Sequence, residues 1–188
     1  GFIKLSVEQS FYIISHNSNT EAIRHSELYK KYDSFHNIYF NNLVACAGTA
    51  TCSFAVIPNK PDAILMAKYL HENVPMDEGK IRLYWSACPK GCGIHSIADI
   101  GFEGCITKDE TGNRCDGVRI FLGGKSTKVA KEARVLIKST TLKNAKEIVK
   151  NLVIMYKNEK LKNESFEKYD DRVLSNFSIE ELSLKLGI

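Results

Sequence analysis

Nowhere does this chain run to about 18 consecutive apolar residues, the length a helix needs to cross a bilayer, so no membrane span is expected. A charged-then-apolar opening of the secretory kind is also missing, as are internal repeats and low-complexity linkers, so a secreted, arrayed or fibrous architecture is not expected. The first residue is Gly1 rather than Met, which points to a tag scar or an excised segment. Basic residues do not cluster. With 26 Lys and Arg against 22 Asp and Glu, the net charge of +4 is mild and spread out, and gives no argument for nucleic acid. What remains is ordinary for a globular protein: 188 residues, 44% hydrophobic and 26% charged, enough for one or two small domains with a real core. A chain of this size does not need staples, so its 6 cysteines are expected to be reduced thiols in the cytoplasm rather than disulfides.

The cysteines are the chemistry. Cys46 and Cys52 flank Ala47-Gly48-Thr49-Ala50-Thr51, and Cys88 and Cys92 flank Pro89-Lys90-Gly91. The pattern is C-x5-C, a gap of 35 residues, then C-x3-C. Four thiols in two small glycine-containing loops are a common way to hold a soft metal or an iron–sulfur cluster. A structural zinc site is the poorer fit, because zinc knuckles favour two to four intervening residues and no pair of His ligands follows. Small residues (Gly48, Gly91, Gly93) allow close backbone approach and offer N–H donors to sulfur. The four sulfurs are expected to converge on one site.

The motif set resembles the siroheme and 4Fe-4S domain of ferredoxin-dependent nitrite and sulfite reductases. Cys52-Ser53-Phe54-Ala55-Val56 is similar to the segment after that family's second cysteine, and Cys88-Pro89-Lys90-Gly91-Cys92-Gly93 to its Cys-Pro-Asn-x-Cys-Gly loop. Residues 97–104 (IADIGFEG) and 121–124 (FLGG) also match. The likeness covers most of residues 1–169. Lys90 replaces the family Asn, and Pro58 stands where a Glu is usual.

The resemblance implies a 4Fe-4S cluster held by Cys46, Cys52, Cys88 and Cys92, with Cys92 also ligating a siroheme iron. It further implies that Gln9 touches siroheme, on a strand similar to the family's Gln-Asn strand, although Ser10 replaces the Asn. Family members are far longer and have two related halves, of which this chain matches the second. The implied partners are ferredoxin or a similar electron donor, the N-terminal half of the full-length enzyme, and a small anion substrate. The implied reaction is the six-electron reduction of nitrite to ammonia. Gly93 and the Cys-x-Gly-x-x-x-Cys form of the first loop favour nitrite; sulfite reduction to sulfide, or a non-catalytic Fe–S electron-transfer module, are the alternatives. No Arg or Lys is named as catalytic, because the family's substrate-binding cations lie mainly in the other half.

Taken in order, residues 2–14 read as one strand buried on much of both faces. Residues 20–32 read as a helix capped by Thr20, and His16, His25, His36 and His71 as surface residues. A second strand over 38–45 delivers Cys46. A helical start at 54–57 breaks at Pro58 and Pro61 and resumes over 62–73. A third strand, 80–86, leads to Cys88, so both loops should share one sheet edge. His95 is expected to hydrogen-bond or to contact a propionate rather than to ligate metal. Residues 99–108 and 116–122 form a hairpin on which Cys105 and Cys115 could oppose each other. Gly123-Gly124-Lys125 is a candidate carboxylate anchor. A last strand over 134–138 precedes a helix over 142–159 capped by Thr141, and residues 179–186 form a short helix. The expected fold is α+β: a mixed sheet with flanking helices over residues 38–188, preceded by part of a ferredoxin-like unit over 1–37.

Overall fold

The computed structural model describes residues 1–6, 8, 11–16, 19–32, 37–126 and 129–188. They form two compact units, Gly1–His36 and Asn37–Ile188. Gln9 and His36 lie outside the described residues.

In the first unit, β1 (Phe2–Leu5) and β2 (Phe11–Ile14) pair antiparallel, with Phe2 opposite Ile14 and Leu5 opposite Phe11. The expected single buried strand is thus a hairpin, and both strands are exposed. Its reversal begins at Ser6, whose hydroxyl accepts the Glu8 N–H at 3.1 Å, turn chemistry carried by serine rather than by Gly or Pro. The expected helix over 20–32 is two helices, α1 (Thr20–His25) and α2 (Glu27–Tyr32). Ser26 separates them with an extended backbone (ψ 147), and its hydroxyl accepts the Tyr29 N–H at 3.2 Å, starting the second helix. Thr20 is the first helical residue, one position inside the cap at Asn19.

The second unit is a five-stranded mixed sheet in the order β3 (Leu43–Ala45), β4 (Leu83–Ser86), β5 (Ile100–Lys108), β6 (Arg114–Leu122) and β7 (Arg134–Thr141). β3, β4 and β5 run parallel, and β6 and β7 are antiparallel to their neighbours. Parallel neighbours need a crossover, and α3 (Lys60–Asn73) supplies the one between β3 and β4. The period-two rule sends alternate residues of β4 to opposite faces: Leu83 and Trp85 join the main core, while Tyr84 packs with Val44 and Ala98 behind the sheet. Trp85 stacks on Phe102 of the adjacent strand, ring centroids 3.9 Å apart.

The main core is completed by α3, by α4 (Leu142–Glu159), whose Ala145, Val149, Leu152, Val153 and Tyr156 are buried, and by α5 (Phe166–Arg172) and α6 (Ile179–Leu186). Thr141 caps α4 as expected, accepting the Asn144 N–H at 3.2 Å. Arg82, nearly fully buried, fastens the sheet to α5: its Nη2 donates to Asp99 at 2.6 Å and to Glu167 at 3.0 Å, and its Nη1 to Ser126 at 2.8 Å. Among the described residues, no helix is long and apolar enough to cross a membrane.

Candidate metal centre

Parallel strands put their C-terminal ends together, and the two cysteine loops both leave from that edge. Ala45 pairs with Trp85, so Cys46 emerges beside Ser86. The Cys46 N–H donates to Trp85 O at 3.1 Å, and the Ala87 N–H donates back to Cys46 Sγ at 3.2 Å. Val56, beyond Cys52, donates its N–H to Ala87 O at 3.0 Å. One residue of the second loop therefore holds both ends of the first. The expected helical start at 54–57 does not form, because Val56 N–H and Ile57 O are spent on Ala87 O and Thr49 N–H across the loop. Gly48 is obligatory here: its φ is 77, and a Cβ would sit 1.9 Å from Pro58 O.

Asn59 extends this junction. It is fully buried at φ 65, and its Nδ2 donates to Cys46 Sγ at 3.2 Å, Cys46 O at 2.9 Å and Trp85 O at 3.2 Å. Its Oδ1 has no hydrogen-bond partner among the described residues. Across the loops, Lys90 Nζ lies 4.5 Å from the centre of the Phe54 ring, a cation–π contact at the position where Lys replaces the family Asn.

Cys88 is buried, Cys46 and Cys52 are half-buried, and Cys92 is exposed; all four are free thiols, as are Cys105 and Cys115. Among the described residues, no three His, Cys, Asp or Glu side chains stand as a ready metal-ligand set. What the fold brings together is the two loops rather than four converged sulfurs. Their donor chemistry fits a soft iron–sulfur centre: four thiols, one already receiving two N–H bonds of the kind that stabilise a thiolate.

Behind the second loop lies a chain of polar groups that no sequence motif announced. Ser86 Oγ accepts the Gly93 N–H at 3.1 Å and lies 2.8 Å from His95 Nδ1. His95 Nε2 is 3.3 Å from Glu103 Oε2, and Arg119 Nη1 donates to Glu103 Oε1 at 2.6 Å. Ser86, His95 and Glu103 are all buried. Burial lowers the His95 pKa below its ordinary value, outweighing the attraction of Glu103, so the ring is neutral near neutral pH. Gly101 makes room for this arrangement, since a Cβ there would meet His95 O at 2.1 Å. A cavity of about 560 Å³ opens beside it, lined in part by Glu103, Arg119, Phe121, Glu132 and Lys138. The hydrogen-bonding role expected of His95 is present.

Other expectations fare differently. Gly123 and Gly124 spend their N–H groups on Asp99 O (3.0 Å) and Ala98 O (2.8 Å), and Lys125 pairs with Asp171, so this turn closes on its own protein instead of offering a carboxylate anchor. Cys105 lies opposite Gly117, and Cys115 opposite Thr107, so the two are diagonal rather than facing. His16, His25 and His71 are exposed, as expected. Asn59, Ser86, Glu103 and Arg119 were missed. The available signal was Glu103 itself, the one charge inside residues 100–106 (IGFEGCI) of β5.

A family model described as the nitrite and sulphite reductase 4Fe-4S domain matches residues 40–177. A chloroplastic ferredoxin–nitrite reductase from Betula pendula is 32% identical over 158 residues, covering 83% of this chain and 27% of that protein. The corresponding Spinacia oleracea protein is 35% identical over 127 residues, 66% of this chain and 21% of its own length. The chain therefore spans about a quarter of the length of these two relatives. Among solved structures, the Mycobacterium tuberculosis NirA protein superposes with a TM-score of 0.74 at 20% identity, over 96% of this chain and 33% of that one, a likeness of fold.

Proposed function

This chain belongs to the nitrite and sulphite reductase 4Fe-4S domain family, and on that premise we propose that Cys46, Cys52, Cys88 and Cys92 hold a 4Fe-4S cluster in part of a nitrite reductase. The observation that carries the reading is the shared edge: parallel β3 and β4 release both thiol pairs side by side, and Ala87 ties one loop to the other. Loading draws the four sulfurs together from loops already joined. Cys92, the exposed member, is the thiolate we assign to the junction between cluster and siroheme. When bound, these groups would relay electrons from an external donor and provide the substrate-binding iron for the six-electron reduction of nitrite to ammonia. The chain's own part is to position thiolates, to set their potential through N–H donors from Ala87 and Asn59, and to shield Cys88. Ferredoxin, part of the names of the plant relatives, is the electron donor that fits. The six free thiols suit a reducing compartment; cytoplasm is our assignment, whereas the names of the plant relatives place those proteins in chloroplasts.

The fragment is expected to lack turnover on its own. An anionic substrate needs cations around the distal iron face. Here Arg82, Arg119, Arg134 and Arg172 are each paired with a carboxylate of this same chain. Anaerobic reconstitution of residues 1–188 with iron and sulfide, read by absorption, iron content and sulfide content, tests the cluster. Loss of it on changing any one of the four cysteines to Ala is expected, and an unchanged spectrum in all four variants would overturn the reading. Addition of siroheme and assay with reduced methyl viologen tests completeness. No turnover of nitrite or sulfite is expected until the remaining part of the protein is supplied, and turnover of sulfite alone would reassign the substrate.

A further inference from the structure

The loop that carries Cys88 and Cys92 ends in backbone that side chains avoid. Ile94, two residues past Cys92, sits at φ 49 and ψ 34, the left-handed region, where a β-branched residue is a genuine outlier. Such a conformation persists only when its surroundings over-determine it. Both neighbours of Ile94 are held. On one side the Gly93 N–H donates to Ser86 Oγ. On the other, the His95 ring is engaged at both nitrogens, by Ser86 Oγ and by Glu103 Oε2.

The proton roles close without conflict. The Glu103 carboxylate only accepts, so the proton of neutral His95 sits on Nε2, and Nδ1 accepts from the Ser86 hydroxyl, whose oxygen also receives the Gly93 N–H. The other Glu103 oxygen accepts from Arg119, whose Nε donates to Lys138 O at 3.2 Å and so fixes the end of the chain to β7. Ser86 precedes Cys88 by two residues and Gly93 follows Cys92 directly, so a single hydroxyl spans the whole C-x3-C loop.

We infer that Ser86, His95, Glu103 and Arg119 form one positioning brace that holds the turn after Cys92 in its strained form and thereby sets where the Cys92 thiolate stands. These four are positioning residues that act through the backbone of Gly93 and Ile94. The role in cluster binding rests on the assignment of Cys92 as a ligand, whereas the brace rests on the bonds themselves. Besides Glu103 and Arg119, the charged groups lining the cavity are Glu132 and Lys138.

The test is a double-mutant cycle on the full chain with His95→Leu, which removes both ring bonds, and Ile94→Gly, which removes the need for them. Three quantities are read: the melting temperature of the metal-free chain, the rate of iron loss to a chelator after anaerobic reconstitution, and the midpoint potential with the electron paramagnetic resonance signature of the reduced cluster. His95→Leu should speed iron loss by about tenfold, the lower end for second-sphere partners of metal ligands, and shift the potential. Ile94→Gly in the same chain should suppress most of both effects and most of the loss in melting temperature. His95→Gln, which keeps a donor for Glu103, should fall between parent and His95→Leu.

Simple additivity of the two substitutions in melting and iron loss would overturn the brace, as would an unchanged potential in His95→Leu. If His95→Leu does not fold, Ser86→Ala carries the same cycle by removing only the hydroxyl, with the same coupling expected. If no variant, the parent included, takes up iron, the assignment of Cys92 fails, and the melting arm alone decides the brace: coupling supports it and additivity overturns it.

Discussion

Asn59 joins a backbone constraint to a sulfur contact in one side chain. Its φ of 65 with ψ −71 is the strained γ-turn region, which glycine enters at far less cost than Ala. Asn59→Ala and Asn59→Gly both remove the donor to Cys46 Sγ, yet the glycine variant should be the more stable of the two by about 1 kcal/mol in denaturant unfolding. In the reconstituted protein both should lower the cluster potential, because N–H donors to sulfur stabilise the reduced, more negative state. Glu164 gives a second residue-scale prediction. The Arg172 fork, at 2.8 and 2.7 Å, helped by the Leu161 N–H and outweighing the cost of burial, pulls its carboxyl from the ordinary 4.5 down to about 2. A depressed acid stabilises the fold above its unfolded pKa and loses that contribution as pH falls through the folded value. The melting temperature should therefore drop between about pH 4.5 and 2, and Glu164→Gln should flatten the curve in that window. The four cysteines were legible as a pair of loops because thiols at such spacings have few other uses. Ser86, Glu103 and Arg119, the partners of His95, were not, because they stand on separate elements and only the parallel register of β4 with β5 brings Ser86 level with Glu103.

Among the elements, α4 and α6 have the bounds that the sequence implied, residues 142–159 and 179–186. Both carry a side-chain cap and an apolar stripe at helical spacing, so local and tertiary preferences agree. Removing the cap of α4 with Thr141→Ala should cost about 1 kcal/mol, and emptying its buried face with Leu152→Ala about 2–5 kcal/mol, both read by chemical denaturation. Elements shaped by partners were harder to read. The strand expected over 38–45 is only Leu43–Ala45, because Asn37 and Asn42 side chains bond the Phe40 N–H (2.7 Å) and Ile38 O (2.8 Å) and keep the preceding residues in turns. The N-terminal strand failed for a related reason: its reversal lacks the Gly, Pro or Asn that would have marked it.

At the scale of the molecule, the main core draws, among the described residues, only on the unit Asn37–Ile188, from Tyr39 to Leu186. Residues 37–188 produced alone should therefore keep a cooperative melting transition, whereas residues 1–36, whose Phe2, Ile3, Leu5 and Phe11 are all exposed, should not show one. Calorimetry of the two pieces checks both halves of this statement.

The parallel pairing of β3 with β4 also fixes an order of events in the making of the protein. Two dithiols separated by 35 residues become neighbours only after the crossover helix has docked and Cys46 has found Trp85. An unfolded chain presents two unrelated metal traps, and a finished sheet presents one cradle. With the four cysteines as the proposed ligands, the uptake of iron on refolding should lag behind the recovery of fluorescence from Trp85, the single tryptophan.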